Sequence, residues 1–225
     1  LKTLEIDGQN YACDDLIKTL GEQVLPQRLE RIQSVIDKRS KQVVTVMENI
    51  YDRGNTSAVM RSAEAFGFFQ FHQIVQSDEF KESKRVTQGA DKWLIQKTWD
   101  QTDECIDALK EQGYKIYVTH LEGGTPLPEV SFDEPVALCF GNEKMGASPR
   151  LTARADEKVF IPMKGFVQSF NISVAAALAF QWADLHGGEK AWAKLSDEER
   201  QHLLALYLFR SCKNPKLPTP LAPKK

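Results

Sequence analysis

Short apolar runs alternate with stretches of helical periodicity through most of this chain. Five runs read as buried strands: residues 43–47, 71–76, 114–119, 136–140 and 157–161. Between them, apolar residues recur every three or four positions. That spacing predicts helices over residues 26–39, with Leu29, Ile32, Val35 and Ile36 on one side, and over 56–66, closed by Gly67. Further helices are predicted over 102–112, 168–185 and 196–210. The last of these opens on Ser196 with Glu199 three residues on, the spacing of a capping box. A modest helical pattern (Leu16, Ile17, Leu20, Val24) marks residues 1–25 as an extension. Polar, Gly- and Pro-containing loops fill 49–55, 77–92, 121–134 and 141–149, and the Pro- and Lys-rich tail from Lys213 is expected to be disordered. Strands alternating with helices predict an α/β fold, a parallel sheet with helices on both faces. Ligands bind such sheets at the carboxyl ends of the strands, so the loops at 49–55, 119–126, 141–148 and 162–169 form the candidate site.

One junction concentrates the candidate chemistry. Ile161-Pro162-Met163-Lys164-Gly165 ends a strand and turns, and Gln168, Ser169 and Asn171 stand where a helix should begin. The first amide groups of a helix need acceptors there. Small residues follow (Ala175, Ala176, Ala177), letting other backbone approach closely. A ligand-binding edge and an ordinary strand-to-helix junction with a capping Ser or Asn both fit this stretch.

Composition narrows the setting. At 225 residues the chain can bury one substantial core with extensions, and its formal net charge of −2 gives no global basic field. A nucleic-acid partner must therefore meet a local patch or two copies of the chain. Cys13, Cys105, Cys139 and Cys212 are scattered without a CxxC pair, and His72, His120, His186 and His202 lie far apart. No metal site is expected, and a reducing compartment is favoured. The longest apolar run, residues 170–183, is interrupted by Asn171, Ser173 and Gln181. We expect a cytoplasmic protein with no secretory signal and no membrane partner.

Two further stretches carry polar groups in suggestive order. Residues 141–148 have the GxxxxG spacing of a phosphate-binding loop, but Ala147 occupies the position that needs Lys, and Glu143 would put negative charge inside the cradle. In residues 49–67, Asn55 is placed to cap a helix, and Arg61 either pairs with Glu64 on the surface or faces a ligand.

Taken together, three segments resemble the ordered motifs of the SpoU/TrmH RNA ribose methyltransferases, within the SPOUT superfamily. They are Asn55-x5-Arg61 with Gly67, Phe140-Gly141-Asn142-Glu143-x2-Gly146, and Ile161-Pro162-Met163-x-Gly165-x2-Gln168-Ser169-Phe170-Asn171-Ile172-Ser173. The resemblance spans residues 26–185. It implies an α/β domain with a C-terminal trefoil knot, S-adenosylmethionine as cofactor, and a homodimer. The implied organisation is an N-terminal helical extension (1–40), the knotted domain (41–187), a C-terminal helical extension (188–212) and a flexible tail (213–225). It implies a cofactor pocket of Thr119, His120, Leu121, Gly141, Ile161, Ser169 and Phe170, and catalytic positions at Arg61, Asn55, Glu143 and Asn171. The implied reaction moves a methyl group to a ribose 2′-hydroxyl. A guanidinium holds its proton to above about pH 12, so Arg61 is read as a phosphate ligand and stabiliser of the developing alkoxide.

RNA contacts are expected at Arg31, Arg28, Lys38, Arg39, Lys84 and Arg85. The terminal extensions resemble the TrmH branch, which implies a guanosine of the tRNA D-loop as acceptor. Gly54, Met145 and Phe170 depart from that branch, and the helix after the third motif (Gln181, Trp182, Ala183, Asp184, His186) lacks its basic residues. Ribosomal RNA methylation and a non-catalytic RNA-binding dimer are the alternatives.

Overall fold

The computed structural model describes residues 2–76, 91–121, 123–187 and 193–222. The chain divides into two compact units, 1–39 with 194–225, and 40–193. It opens with strands β1 (Thr3–Ile6) and β2 (Gln9–Ala12), then helices α1 (Cys13–Gly21) and α2 (Pro26–Ile36). Next come β3 (Ser40–Glu48), α3 (Arg53–Ala65), β4 (Phe68–Ile74), β5 (Ile95–Trp99), α4 (Thr102–Glu111) and β6 (Lys115–Thr119). The remainder is β7 (Thr125–Pro126), β8 (Val136–Phe140), α5 (Pro149–Ala153), β9 (Glu157–Phe160), α6 (Ile172–Gly187) and α7 (Asp197–Ser211).

Residues from both ends of the chain build the first unit. β1 and β2 form an antiparallel hairpin that the apolar pattern does not predict. Its turn is Asp7-Gly8, both at positive φ (50° and 77°), as the tightest hairpin turns require. Leu16 and Leu20 of α1, Ile32 and Ile36 of α2, and Leu203, Tyr207 and Leu208 of α7 are buried. The capping box forms as expected: Ser196 N–H donates to Glu199 Oε2 (2.7 Å) and Glu199 N–H to Ser196 Oγ (3.3 Å). The tail differs from the expectation of disorder. Lys216 N–H donates to Gln23 Oε1 (2.9 Å), and Leu221 N–H donates to the Asn10 carbonyl (2.8 Å), so backbone groups in this Pro-rich segment find fixed partners.

The second unit is built on the expected parallel sheet, seven strands in the order β5-β4-β3-β8-β6-β9-β7. Alternation along β3 and β8 serves both faces. Val43, Met47, Val136, Leu138 and Phe140 face one cluster, with Val59, Met60 and Ala63 of α3 and Ala176, Ala179, Phe180 and Ala183 of α6. Val44, Val46, Ala137 and Cys139 face the other, with Cys105, Ile106 and Leu109 of α4 and Leu151 of α5. Cys139 is fully buried there, a core residue as its pattern predicts.

Two boundaries shift, and one strand goes unpredicted, for local reasons. α3 opens at Arg53, because Asp52 Oδ1 accepts the Gly54 N–H (2.7 Å) and caps the helix in place of Asn55. α6 opens at Ile172, after an irregular segment, with Asn171 Oδ1 accepting from Ser173 N–H (2.9 Å). β5 is half exposed and carries Lys97, so its apolar signal is too thin to read as a strand.

Candidate active site

The carboxyl ends of β6, β8 and β9 open on a cavity of about 590 Å³. Its floor is apolar: Leu127, Leu138, Phe140, Val159 and Ile172. All seven residues expected to hold a cofactor line it, namely Thr119, His120, Leu121, Gly141, Ile161, Ser169 and Phe170. An apolar chamber with a few polar groups at its rim suits a ligand that is part ring system, part charged chain.

Backbone geometry makes this chamber. A Cβ on Gly141 would sit 2.0 Å from Ala147 N, so only glycine lets the ends of loop 141–147 meet. Within that loop Asn142 and Gly146 exchange backbone hydrogen bonds (2.9 and 2.8 Å). Asn142 Oδ1 accepts from Lys144 N–H (2.8 Å) and Met145 N–H (3.0 Å), while its Nδ2 donates to the Asn49 carbonyl (2.5 Å). Gly124 makes a second close approach, since a Cβ there would lie 2.3 Å from the Lys158 carbonyl oxygen.

Three of the expected catalytic residues are joined by hydrogen bonds. Glu143 Oε1 accepts from Asn55 Nδ2 (3.0 Å) and Asp52 N–H (3.2 Å), and its Oε2 accepts from Tyr51 N–H (3.1 Å). Asn55 Oδ1 in turn accepts from Asn171 Nδ2 (3.0 Å). Asn171 completes the chain by accepting from Ser173 N–H and Ser173 Oγ (2.6 Å). Each amide thus has a donor facing an acceptor at both ends, which fixes both side-chain orientations. Glu143 and Asn171 also line the cavity, so the chain of bonds runs from its rim to the start of α3. Arg61 is exposed on α3, six residues after Asn55, about 9 Å further along the helix axis and outside the cavity lining.

A sequence profile of the SpoU rRNA Methylase family matches residues 42–181, most of the second unit. The chain belongs to this family. It is therefore a methyltransferase, with S-adenosylmethionine as its cofactor, and the glycine-closed chamber fits that molecule's adenine and its polar tail. Relatives of this SpoU methylase include tRNA (guanosine(18)-2′-O)-methyltransferases. That of Aquifex aeolicus is 31% identical over 83% of this chain and 90% of its own, and that of Thermus thermophilus 33% over 80% and 95%. Among solved structures, the A. aeolicus TrmH/SpoU tRNA modifying enzyme superposes with a TM-score of 0.76 at 30% identity, covering 84% of this chain and 98% of that one.

Of the cations expected to meet RNA in this SpoU methylase, Arg28, Arg31 and Lys38 are exposed. Arg39 is a correction. It is 4% exposed, with Nε donating to the Tyr207 hydroxyl (3.1 Å) and its guanidinium over the Tyr207 ring, so it supports the first unit's core. Lys84 and Arg85 lie outside the described residues. Among the described residues no helix is long and apolar enough to cross a membrane. Sequence reasoning missed two polar residues that hold the loop walling the cavity, Asn142 in its lining and Glu48 outside it. Asn142 anchors its loop, and Glu48 is 1% exposed at the end of β3; a carboxylate closing a buried strand is the signal that marks it.

Proposed function

We propose that this SpoU-family enzyme methylates the ribose 2′-hydroxyl of a guanosine in the D-loop of tRNA. The observation that carries the reading is the Glu143–Asn55–Asn171 chain of hydrogen bonds at the rim of a cavity lined by the expected cofactor residues. The Aquifex and Thermus relatives, tRNA (guanosine(18)-2′-O)-methyltransferases, support the choice of acceptor. Thr119, His120, Leu121, Gly141, Ile161, Ser169 and Phe170 would hold the cofactor, whose sulfonium supplies an electrophilic methyl group.

A ribose hydroxyl is a poor nucleophile near neutral pH, so its proton must pass to water as the oxygen attacks, while the carbon–sulfur bond to the methyl breaks and leaves a neutral thioether. Arg61 binds phosphate, and its guanidinium stabilises negative charge growing on that oxygen. Asn55 and Asn171 orient the ribose and Arg61. Glu143, occupied by two backbone amides and Asn55, holds the loop geometry.

The same reading includes a trefoil knot through the 119–126, 141–148 and 162–173 loops. Membership of the SpoU family supports that reading. A second copy of the chain would cover the apolar surface of Phe166, Val167, Phe170, Val174 and Leu178, all exposed here. Arg28, Arg31 and Lys38, with Lys84 and Arg85, would grip the RNA backbone, in the cytoplasm.

Incubation with labelled methyl donor and separate tRNA and rRNA pools tests the assignment. Label on a tRNA ribose is expected. Label confined to rRNA would move the substrate, and absence of label from both would leave an RNA-binding dimer.

A further inference from the structure

Against loop 141–148 lies a ring of polar groups, centred on buried Glu48 and Thr102, that the reaction does not use directly. Glu48 ends β3, the strand between β4 and β8, with its carboxylate 1% exposed. Its Oε2 accepts from Ser148 N–H (2.8 Å), and its Oε1 accepts from Ser148 Oγ (2.9 Å) and Thr102 Oγ1 (2.8 Å). Thr102 also accepts from Gln76 Nε2 (3.1 Å). Gln76 exchanges two bonds with the Asn49 side chain: Asn49 Nδ2 donates to Gln76 Oε1 (2.8 Å), and Gln76 N–H donates to Asn49 Oδ1 (3.0 Å). Asn49 follows Glu48 directly, at a positive φ of 52°, and its carbonyl receives Asn142 Nδ2 (2.5 Å).

Two consecutive residues therefore hold both ends of one loop, Asn49 through Asn142 and Glu48 through Ser148. Next to those ends stand Gly141 and Ala147, which line the cavity. We infer that Glu48 is a positioning residue for S-adenosylmethionine, fixing loop 141–148 in its binding shape from below. The inference rests on the reading of this cavity as the cofactor site.

The carboxylate is required, and its amide would not serve. Three donors converge on two acceptor oxygens, and glutamine offers one oxygen and an NH₂ group of its own. In Glu48→Gln an NH₂ facing the Ser148 amide sets donor against donor. Turned toward the hydroxyls it can donate to Ser148 Oγ and Thr102 Oγ1, which already accept from Leu151 N–H and Gln76 Nε2, and their own protons then lose the acceptor. The loop relaxes upward to regain a partner, at the cofactor's expense.

Calorimetric titration with S-adenosylhomocysteine, alongside steady-state kinetics, tests this in the full chain. Glu48→Gln should weaken binding about tenfold, as expected for one buried hydrogen bond to a charged group. At saturating cofactor kcat should stay within about threefold, with KM for RNA unchanged, a split that a general loss of stability does not produce. Should Glu48→Gln not fold, Thr102→Val keeps the carboxylate, removes one donor and should weaken binding about threefold, as a lost neutral hydrogen bond does. Unchanged affinity in the folded variant, or a collapse of kcat with affinity intact, overturns the inference. If the wild-type protein itself takes up no S-adenosylhomocysteine, the cofactor reading falls and the inference with it.

Discussion

Asn55 shows what a single side chain contributes here. The sequence pattern places it at the start of a helix, where capping is the ordinary role. Asp52 takes that role, which releases the Asn55 amide to bridge Glu143 and Asn171 across 88 and 116 positions of chain. Composition and periodicity could not show this, because both partners arrive from distant loops; the resemblance of three motifs could, and it named all three residues together. Glu48 offered only one signal, a carboxylate closing a buried strand, and neither route named its role. Its role depends on Thr102 and Ser148 meeting it in space, and its neighbours in sequence say nothing of either. At this scale Arg61 carries the sharpest prediction. Arg61→Ala should keep cofactor affinity within about twofold, measured by calorimetry, while kcat falls by about a hundredfold or more, as loss of a charge-stabilising donor does. Lost affinity with turnover intact would assign Arg61 to the cofactor site.

Elements were legible in proportion to how strongly they are buried on one side or both. β3 and β8 read as strands because every residue of their central stretch is buried. β5 and β7 escaped notice as edges of the sheet, one with three consecutive exposed residues at its centre and one only two residues long. The β1–β2 hairpin was missed although Asp7-Gly8 is its turn signal, since its strands are four residues each. β4 hides a group with a measurable consequence. Burial first, then the charge of Lys97, lowers the pKa of His72 from 6.5 to about 4. Trp99 Nε1 donates to His72 Nδ1 (3.2 Å), a bond that needs the neutral ring. Between those two pKa values the unfolded chain binds the proton and the folded chain does not, so stability rises with pH across that window. Its contribution is complete above about pH 6.5 and is lost as pH falls toward 4. Urea unfolding at pH 7 and pH 4.5 should differ by up to about 3 kcal/mol, and His72→Gln should flatten the difference. An identical slope in the variant would assign the acid sensitivity elsewhere.

For the whole molecule, an alternating pattern gave a parallel sheet but could not give its strand order. That order depends on where each crossover lands, which side-chain pattern along one strand does not encode. The gathering of both chain ends into one unit was equally invisible, since it rests on long-range packing of α1 and α2 with α7. Assembly is the prediction proper to this scale. Leu178 is 40% exposed on α6 beside Val174, so Leu178→Glu should leave the fold intact but shift light-scattering mass from dimer to monomer. A wild-type protein that is already monomeric at working concentration would contradict a homodimer built on α6. The central claim, a chamber at the sheet's edge that delivers methyl groups to a ribose oxygen beside Arg61, is met most directly by nucleoside-resolved mass spectrometry of tRNA after reaction with S-adenosylmethionine. We predict 2′-O-methylguanosine in the wild-type reaction and its loss in Arg61→Ala. A methyl group on a base, or undiminished ribose methylation by the variant, would contradict the account.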